Sequence, residues 1–187
     1  MAPTPRATVY IATSLDGFIA RENGEIDWLP QDTDISTDGD HGYAALMESV
    51  DALVMGRHTF EKVLTFGGWH YGEKPVVVLS TQPVPIPSRL PSTVEWMSGT
   101  PIEIVTRLAA RGHHHLYVDG GVTIQRFLEA GLIQRLVITR VPILIGRGIP
   151  LFGPLPEDIR PRHIQTRSFP SGLVQSEYEV PNSNALL

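Results

Sequence analysis

Twice in this sequence a short apolar strand runs through glycine directly into a helix. The first segment spans residues 51–64, with Gly56 at the junction, and the second spans residues 115–130, with Gly120 and Gly121. A strand followed by a helix is the repeating unit of a parallel sheet, because parallel neighbours need a long crossover connection. Two such units predict an α/β chain in which helices cover a mostly parallel sheet.

The remaining elements follow from hydrophobic periodicity. We predict further strands at residues 8–13, 18–20, 76–79, 94–97 and 136–141, and further helices at residues 41–50 and 101–111. Asp40 is placed to act as the N-cap of the first of these helices. Residues 1–6 carry two prolines and are predicted to form a loose N-terminus.

The last part of the chain has a different pattern. Residues 162–169 and 173–180 alternate around Ser171 and Gly172, which predicts an antiparallel hairpin. Early strand–helix units followed by a hairpin predict a three-layer α/β fold, in which helices flank one mixed sheet that ends in a C-terminal antiparallel β-hairpin. No segment separates two cores, so we expect one domain over residues 1–187.

Composition excludes several classes of protein. The chain has 15 Lys and Arg against 20 Asp and Glu, a formal net charge of −5, which argues against a nucleic-acid partner. It has no cysteine, which excludes disulfides, thiolate chemistry and Cys-ligated zinc. No apolar run approaches the ~20 residues of a membrane helix, and no apolar signal region follows Met1. We therefore expect a cytoplasmic protein without a membrane partner.

The two glycine junctions suggest a nucleotide site. A helix N-terminus presents unpaired N–H groups and a positive dipole end, and glycine lets a phosphate approach the backbone closely. Arg57 adds a cation suited to a ribose phosphate, which favours NADPH over NADH. Glycine at a strand–helix turn is also ordinary turn chemistry, and neither junction is a complete dinucleotide or P-loop motif.

Four segments, in the same order along the chain, resemble the motifs of one superfamily. Residues 54–61 resemble the Met-Gly-Arg-x-Thr-aromatic-Glu segment of dihydrofolate reductase, and residues 118–121 its later double-glycine turn. Residues 11–20 are similar to the Ser-Leu-Asp-Gly-x-Ile-Ala opening of the riboflavin-biosynthesis reductase domain, and residues 141–152 to its late glycine-rich loop. The chain is identified as a member of the dihydrofolate reductase-like superfamily, most similar to the RibD C-terminal type.

This resemblance implies a dihydrofolate reductase-like fold, NADPH as the cofactor, a homodimer, and a set of cofactor-binding residues that flank the nicotinamide, line the adenosine ribose or hold the phosphates. Those residues are Ala12, Ile19, Gly56, Arg57, His58, Thr59, Leu79, Ser80, Gly120, Gly121, Val122 and Thr123. Gly121→Leu is expected to abolish cofactor binding and to leave the fold intact, because the leucine side chain would fill the space of the phosphate.

The resemblance also implies candidate catalytic residues. Residues 28–32 match the Leu-Pro-x-Asp segment of dihydrofolate reductase, whose acid contacts the pterin, so Asp32 is one candidate. The polar residues 33–40 that follow depart from that enzyme's pattern. Asp16, in the turn beside the active site, is the second candidate, although it could simply stabilise its own turn. Arg147 in the late loop is a candidate contact for a substrate phosphate.

A run of histidines, residues 113–115, invites a metal-binding interpretation. Alternate residues of a strand share a face, so at most His113 and His115 could converge, and no carboxylate lies within the run. We therefore predict no metal site.

Together these observations predict an NADPH-dependent reductase that transfers hydride to a small heterocyclic substrate. By resemblance it is similar to 5-amino-6-(5-phosphoribosylamino)uracil reductase of riboflavin biosynthesis. The Cys/His zinc signature of the deaminase domain that often accompanies this reductase is absent, so we expect either a stand-alone reductase or a relative with another substrate. Two alternatives remain open, namely a dihydrofolate reductase and a nucleotide-binding module without catalysis.

Overall fold

The computed structural model describes residues 4–30 and 38–181, and its strands and helices alternate along most of the chain. The strands are β1 (Arg6–Ser14), β2 (Phe18–Ala20), β3 (Ala52–Gly56), β4 (Val76–Leu79), β5 (Val94–Met97), β6 (His115–Asp119), β7 (Arg135–Val141), β8 (Ile149–Pro150), β9 (Arg162–Ser168) and β10 (Val174–Glu179). The helices are α1 (Tyr43–Ser49), α2 (Arg57–Val63), α3 (Pro101–Ala110) and α4 (Gly121–Glu129).

The main sheet has eight strands in the order β5-β4-β3-β6-β1-β7-β10-β9. The first six of these run parallel to one another, with Val54 opposite Val118 and Val9 opposite Leu136. The hairpin β9–β10 joins antiparallel to β7, as the alternating pattern predicts. The predicted fold class, a mixed α/β sheet flanked by helices with a C-terminal hairpin, is confirmed.

Alternation along β3 explains the three layers. Leu53 and Met55 pack on one face of the sheet with α1 and α2, while Val54 packs on the other face with α3 and α4. All three side chains are fully buried. A strand covered on both faces reads as one continuous apolar run, which is why residues 52–56 show no polar position.

The helices that follow β3 and β6 leave the sheet on opposite faces. Phe60 of α2 packs in the hydrophobic cluster on one face of the sheet, and Phe127 of α4 packs in the cluster on the opposite face. Because β3 and β6 are neighbours, this divergence opens a crevice between the two helix starts at the carboxyl ends of the strands. Open α/β sheets bind their ligands at such a switch point.

Some predicted boundaries are wrong. Arg6 belongs to β1 rather than to a loose end, since its N–H donates to the carbonyl of His114 at 2.8 Å. Asp40 is not the N-cap of α1: the cap is Gly42, and the Asp40 carboxylate accepts from the N–H groups of Gly42 and Ala44. The Asp40 side chain, two residues before the N-cap Gly42, therefore accepts the hydrogen bond from the first turn of α1 that an N-cap side chain usually accepts.

The edges of the sheet are unequal. Every residue of the edge strand β9 is exposed, whereas the opposite edge strand β5 buries Val94 and Met97. Exposed edges are natural sites for pairing with another chain. The homodimer stays a prediction. In the described ranges no helix is both long and apolar enough to cross a membrane.

Candidate active site

A cleft of about 1280 Å³ follows the carboxyl edge of the parallel strands. Its wall includes the last residues of β3, β4 and β6 and the start of α2 and α4. Pockets for one small ligand measure roughly 300–1,000 Å³, so this cleft has room for a large ligand and a small one together.

Every residue predicted from the sequence to bind the cofactor lines this cleft. They are Ala12, Ile19, Gly56, Arg57, His58, Thr59, Leu79, Ser80, Gly120, Gly121, Val122 and Thr123. Asp16 and Arg147, the two other predicted site residues that the structure describes, do not line the cleft. Asp32 lies outside the described residues.

The two glycine junctions pack directly against each other. A Cβ built on Gly56 would lie 2.9 Å from Thr123 Oγ1, and a Cβ built on Gly120 would overlap Thr59 Oγ1 and lie 3.4 Å from Thr59 Cβ. Gly120 also has φ of 92°, a conformation that side chains disfavour. Glycine at both positions therefore lets the starts of α2 and α4 meet. We call this part of the cleft, residues 56–59 and 120–123, the junction end.

The α4 helix begins without a side-chain cap. Its N-cap is Gly120, which makes no side-chain hydrogen bond to the first turn. By contrast, α3 is closed by a capping box in which Thr100 and Glu103 bond each other's backbone N–H groups. The first N–H groups of α4 thus remain available to an anion, which the helix dipole also favours.

Gly121 also packs closely against a neighbouring part of the fold. A Cβ at this position would lie 2.9 Å from Ile19 Cδ1 and 3.3 Å from Ile149 Cγ2, both side chains of the small β2–β8 region. A larger residue there would push against this region rather than simply fill a phosphate's space. These contacts count against the expectation that Gly121→Leu leaves the fold intact.

Cationic side chains of the cleft sit on α2 and α4. Arg57 Nε donates to Glu61 Oε1 at 2.7 Å, and Lys62 Nζ donates to Glu25 Oε2 at 2.7 Å. The Arg57 guanidinium hydrogen-bonds Glu61 and holds the pKa of that carboxyl below its usual range. Exposed pairs of this kind contribute at most ~1 kcal/mol, so Arg57 can exchange its partner for a stronger anion at small cost.

The other end of the cleft is built from tyrosines. Tyr10 from β1, Tyr43 from α1, Tyr71 from the loop before β4 and Tyr117 from β6 all line it, and we call this the tyrosine end. The rings of Tyr10 and Tyr43 lie 5.9 Å apart. Burial raises the pKa of all four phenols, so at neutral pH they remain neutral groups that can donate hydrogen bonds.

Asp119, the last residue of β6, lies between the two ends. Asp119 is half-buried in the cleft wall, and burial raises the pKa of its carboxyl to about 6, although the Gly120 N–H donates to Oδ1 at 2.8 Å and opposes the shift. After burial itself, the charge of Asp119 is the next cause that raises the pKa of Tyr71 and Tyr117. A carboxyl with this pKa can be both a proton donor and a proton acceptor near neutral pH.

Asp119 and the tyrosine end were not predicted from the sequence. Asp119 could have been predicted, because it is an acidic residue that ends an apolar strand immediately before Gly120 and Gly121. A charged group at such a position costs free energy, which points to a functional role. The tyrosines give no such signal, since they come from three separate elements and one loop.

His41 is a further cleft residue that was not predicted from the sequence. It has φ of 55°, the left-handed region, and its ring lies 4.5 Å from that of Phe169. His41 Nε2 lies 3.5 Å from Asp38 Oδ2, and Asp38 accepts hydrogen bonds from Ser171. Ser171, in the turn of the C-terminal hairpin, thus holds Asp38 beside His41, which lines the tyrosine end of the cleft.

The histidine run has a structural explanation. His115 Nδ1 contacts the carbonyl of Ser49 at 2.9 Å, and His115 Nε2 contacts Thr8 Oγ1 at 2.8 Å. His115 thus joins the end of α1 to β1. Over residues 4–30 and 38–181 the structure contains no cluster of three or more side chains suited to a metal ion.

Asp16 stabilises the β1–β2 turn instead of facing the cleft. Its carboxylate accepts from the N–H of Gly146 at 2.7 Å and of Ile145 at 3.3 Å, so it joins the turn to the loop before β8. Hydrogen bonds from Ser14 and then from this loop hold the pKa of Asp16 below its usual range. Asp16 does not line the cleft in this structure, and its catalytic role stays a prediction. Arg147, exposed in the same loop, does not line the cleft either.

Replacing Asp16 by alanine is expected to loosen the loop before β8. Both N–H groups lose their acceptor, so amide hydrogen exchange at Gly146 and Ile145 should accelerate by about tenfold. Exchange of the β6 amides, far from this turn, is the internal control. Unchanged exchange at Gly146 would contradict the assigned role.

The sequence profile of the RibD C-terminal domain matches residues 5–174. The chain belongs to the RibD C-terminal domain family. It is 32% identical over 167 residues to protein YwjB of Bacillus subtilis strain 168, covering 88% of this chain and 92% of that protein. Members of this family are reductase-like proteins connected with riboflavin biosynthesis.

Solved structures are similar to this RibD C-terminal domain as well. A Shewanella sp. PV-4 protein assigned to riboflavin biosynthesis is 43% identical, with a TM-score of 0.86 over 94% of this chain and 99% of that one. A deaminase/5-amino-6-(5-phosphoribosylamino)uracil reductase from Thermotoga maritima is 16% identical, with a TM-score of 0.71 over 95% of this chain and 57% of that one. The latter identity shows a shared fold alone.

Proposed function

We propose that this chain is a cytoplasmic NADPH-dependent oxidoreductase that transfers hydride to a C=N or C=O bond of a small heterocyclic substrate. One observation carries the proposal: two glycine junctions from adjacent strands meet at the switch point of a cleft that also holds Asp119, a half-buried acid, beside four tyrosines. The junction end suits phosphates, and the tyrosine end suits a ring.

The described residues fit a dinucleotide. The uncapped start of α4 at Gly120 and Gly121 would hold the pyrophosphate, and Arg57 would contact a phosphate on the adenosine ribose. Leu79 and Ser80, at the end of β4, would line that ribose. Ala12 and Ile19 would flank the nicotinamide near the middle of the cleft. When bound, the cofactor supplies the hydride, which carries both electrons of the reduction.

Asp119 is the residue of this chain suited to supply the proton. Reduction of a C=N or C=O bond adds hydride to carbon and a proton to the heteroatom, and the proton leaves Asp119 as a carboxylate that is reprotonated from solvent. The surrounding tyrosines orient the ring, and the cleft walls exclude water from the reacting atoms. In the complete reaction, NADPH, the substrate and one proton are converted into NADP⁺ and the reduced substrate.

Cofactor binding is tested by thermal unfolding with NADPH and NADH side by side. At a concentration of about 100 times the dissociation constant, a ligand specific for the native state adds about 2.7 kcal/mol, which raises the melting temperature by roughly 5–10 °C. We expect this shift with NADPH and a much smaller one with NADH. No shift with either would refute the cofactor site.

Arg57→Ala is expected to weaken NADPH binding by about tenfold while leaving NADH binding nearly unchanged, because a charge-assisted hydrogen bond contributes roughly 1.5–3 kcal/mol. Isothermal titration measures both constants. The matched control is Glu61→Gln, which removes the competing carboxylate and is expected to tighten NADPH binding slightly. Equal losses for both cofactors would contradict the role of Arg57 in NADPH selection.

Oxidation of NADPH in the presence of substrate distinguishes a reductase from a nucleotide-binding module without catalysis. Absorbance loss at the nicotinamide band, dependent on added heterocycle, supports the reductase. Tight NADPH binding with no oxidation across pyrimidine and pterin substrates would favour the binding module.

A further inference from the structure

We infer that His41 presents a hydrogen-bond acceptor to the substrate at the tyrosine end, and that Asp38 and Ser171 are positioning residues that act through its ring. The inference rests on the proposed function, because it assigns His41 a role toward the substrate of that reaction. It adds a requirement on the substrate, which must carry an N–H or O–H group that donates to Nδ1 of His41.

The backbone of His41 is held in an uncommon conformation. Among the residues that the structure describes, His41 is the only non-glycine residue with a positive φ. Such a conformation costs free energy, and it persists where surrounding contacts hold it, commonly at functional sites. The Tyr10 hydroxyl donates to the His41 carbonyl at 3.2 Å, and Gln175 Nε2 donates to that hydroxyl and to Thr139 Oγ1. Side chains of β1, β7 and β10 thus hold His41 beside the cleft.

The ring of His41 is held from behind by a carboxylate. Its Nε2 lies 3.5 Å from Asp38 Oδ2, and the ring packs edge-on against Phe169. Nε2 is enclosed by protein and makes no hydrogen bond at this separation. A buried nitrogen without a hydrogen bond is costly, and hydrogen bonds at active sites often shorten when a ligand binds. Asp38 is therefore the acceptor toward which Nε2 is directed.

The turn of the C-terminal hairpin keeps Asp38 in place and ionised. The Ser171 hydroxyl donates to Asp38 Oδ2, and the Ser171 N–H donates to Oδ1 at 3.4 Å. The bond from the hydroxyl is the main reason that the pKa of Asp38 lies below its usual range. At neutral pH the Asp38 carboxyl is therefore a carboxylate, which accepts hydrogen bonds and donates none.

This carboxylate determines which nitrogen of His41 carries the ring proton. A neutral imidazole has one N–H donor and one acceptor nitrogen. Because Asp38 only accepts, the proton of neutral His41 belongs on Nε2, which leaves Nδ1 as the acceptor. In the described part of the chain Nδ1 makes no hydrogen bond, and unlike Nε2 it is not enclosed. Since His41 lines the cleft, Nδ1 is the ring nitrogen that a substrate meets.

An acceptor at this position complements the donors of the cleft. Asp119 donates when protonated, and the neutral phenols of Tyr43 and Tyr71 also carry donors. A substrate that satisfies both kinds of group has an acceptor beside Asp119 and a donor beside His41. A compound without that donor leaves Nδ1 unpaired, which is how a polar site rejects close analogues.

Nitrogen-15 NMR tests the position of the ring proton in the protein alone. At about pH 8.5 histidines are ordinarily neutral, and the shifts of the two ring nitrogens report which one carries the proton. We expect His41 to hold the proton on Nε2 in a larger proportion than the exposed His70. His115 is the opposite control, because its Nδ1 faces the Ser49 carbonyl, which only accepts. Equal proportions in His41 and His70, or a proton on Nδ1 of His41, overturn the inference.

Asp38→Asn is expected to lower the ratio of Nε2–H to Nδ1–H in His41 by about fivefold or more, because an amide can donate as well as accept. Ser171→Ala should act in the same direction with a smaller effect, and it decides the matter if Asp38→Asn does not fold. Asp40→Asn is the matched control, since the Asp40 carboxylate bonds backbone N–H groups near the start of α1 rather than the ring. Equal responses to Asp38→Asn and Asp40→Asn contradict the inference.

The kinetics of NADPH oxidation test the contact with the substrate, using a pyrimidine or pterin compound that the wild-type protein turns over. His41→Leu is expected to raise KM for that compound by about tenfold, with kcat and the NADPH dissociation constant changed less than about threefold. His41→Asn tolerates a positive φ and carries an amide oxygen that can accept, so KM should rise by less than about threefold. Equal losses in the two variants would indicate a steric role and contradict the inference.

The result also separates this inference from the proposed function. An unchanged KM in a His41→Leu protein that still turns over refutes the role of His41 alone. Absence of NADPH oxidation by wild-type protein with every compound refutes the proposed reductase, and with it any role of His41 toward a substrate.

Discussion

Asparagine in place of Asp119 is expected to raise the free energy of unfolding by about 2 kcal/mol at pH 8. The pKa of Asp119 is about 6 because the carboxyl is buried, against roughly 3.9 in an unfolded chain. At pH 8 the native protein therefore holds a partly desolvated charge that is fully solvated in the unfolded chain. Asparagine keeps the oxygen that accepts from the Gly120 N–H and removes the charge.

The sign of the pH dependence follows from the raised pKa. A folded-state pKa above the unfolded value means that the native state binds this proton more tightly, so the contribution of Asp119 to stability is complete at low pH. It is lost as the pH rises from about 4 through about 6. The difference between Asp119→Asn and wild type should therefore be near zero at pH 3.5 and fully developed above pH 7. Urea unfolding across this range measures it.

Asp51→Asn is the matched control with the opposite sign. Burial acts to raise the pKa of Asp51, but the N–H groups of His114 and His115 donate to its carboxylate and lower that pKa overall. This carboxylate stabilises the fold above its unfolded pKa, and the stabilisation is lost as the pH falls through its folded value. The control should thus lose stability at pH 8. Equal behaviour of the two variants would contradict the assigned environments.

The same Asp119→Asn change should nearly abolish turnover. Removing a proton donor costs about 10² to 10⁴ in rate, so we expect kcat to fall at least about 100-fold while the NADPH dissociation constant changes less than threefold. A more stable and less active variant is the signature of a group whose burial serves chemistry. Activity within threefold of wild type would refute the proton role.

Gly120→Ala is expected to lower the free energy of unfolding by about 4 kcal/mol and to remove NADPH binding. The residue has φ of 92°, where alanine is strained, and its Cβ would overlap Thr59 Oγ1. Relief of that overlap requires the starts of α2 and α4 to separate, which destroys the junction end. Chemical unfolding and NADPH titration measure the two effects.

Gly17→Ala separates strain from collision. Gly17 has a similar φ of 89°, but no atom lies within 4 Å of the position where its Cβ would be built. It should lose only about 1–2 kcal/mol. Adding Thr59→Ala to the Gly120 variant removes the overlapping hydroxyl and should recover at least about 1 kcal/mol. If Gly120→Ala is no more destabilising than Gly17→Ala, the two junctions do not pack as described.

Local patterns predicted the elements well where the chain is buried on both sides. The strands at residues 76–79 and 94–97 were predicted with the bounds that the structure shows. Short, mainly apolar segments bounded by proline and polar turns indicate buried strands from the local sequence alone, without knowledge of their partners in the fold. The junction end could likewise be proposed from the sequence, because each glycine junction is one contiguous segment.

Boundaries and caps were less predictable because their partners are elsewhere. Arg6 joins β1 through the carbonyl of His114, and Asp16 bonds the loop at Gly146. Neither contact has a local signature. Asp40 is not the N-cap because α1 begins after Gly42, which has a left-handed backbone, and the Asp40 carboxylate accepts hydrogen bonds from its position two residues before that cap.

The sequence by itself determined the α/β class, the mixed sheet with its hairpin, and the two glycine segments that line the cleft, because each of these depends on periodicity or on neighbours a few residues apart. Only the tertiary structure decided that the junctions interlock, that Asp119 is buried beside tyrosines, and that Asp16 and Arg147 stay outside the cleft. The reason is physical: a side chain's solvation and charge environment are set by elements that strand order brings together from distant parts of the chain.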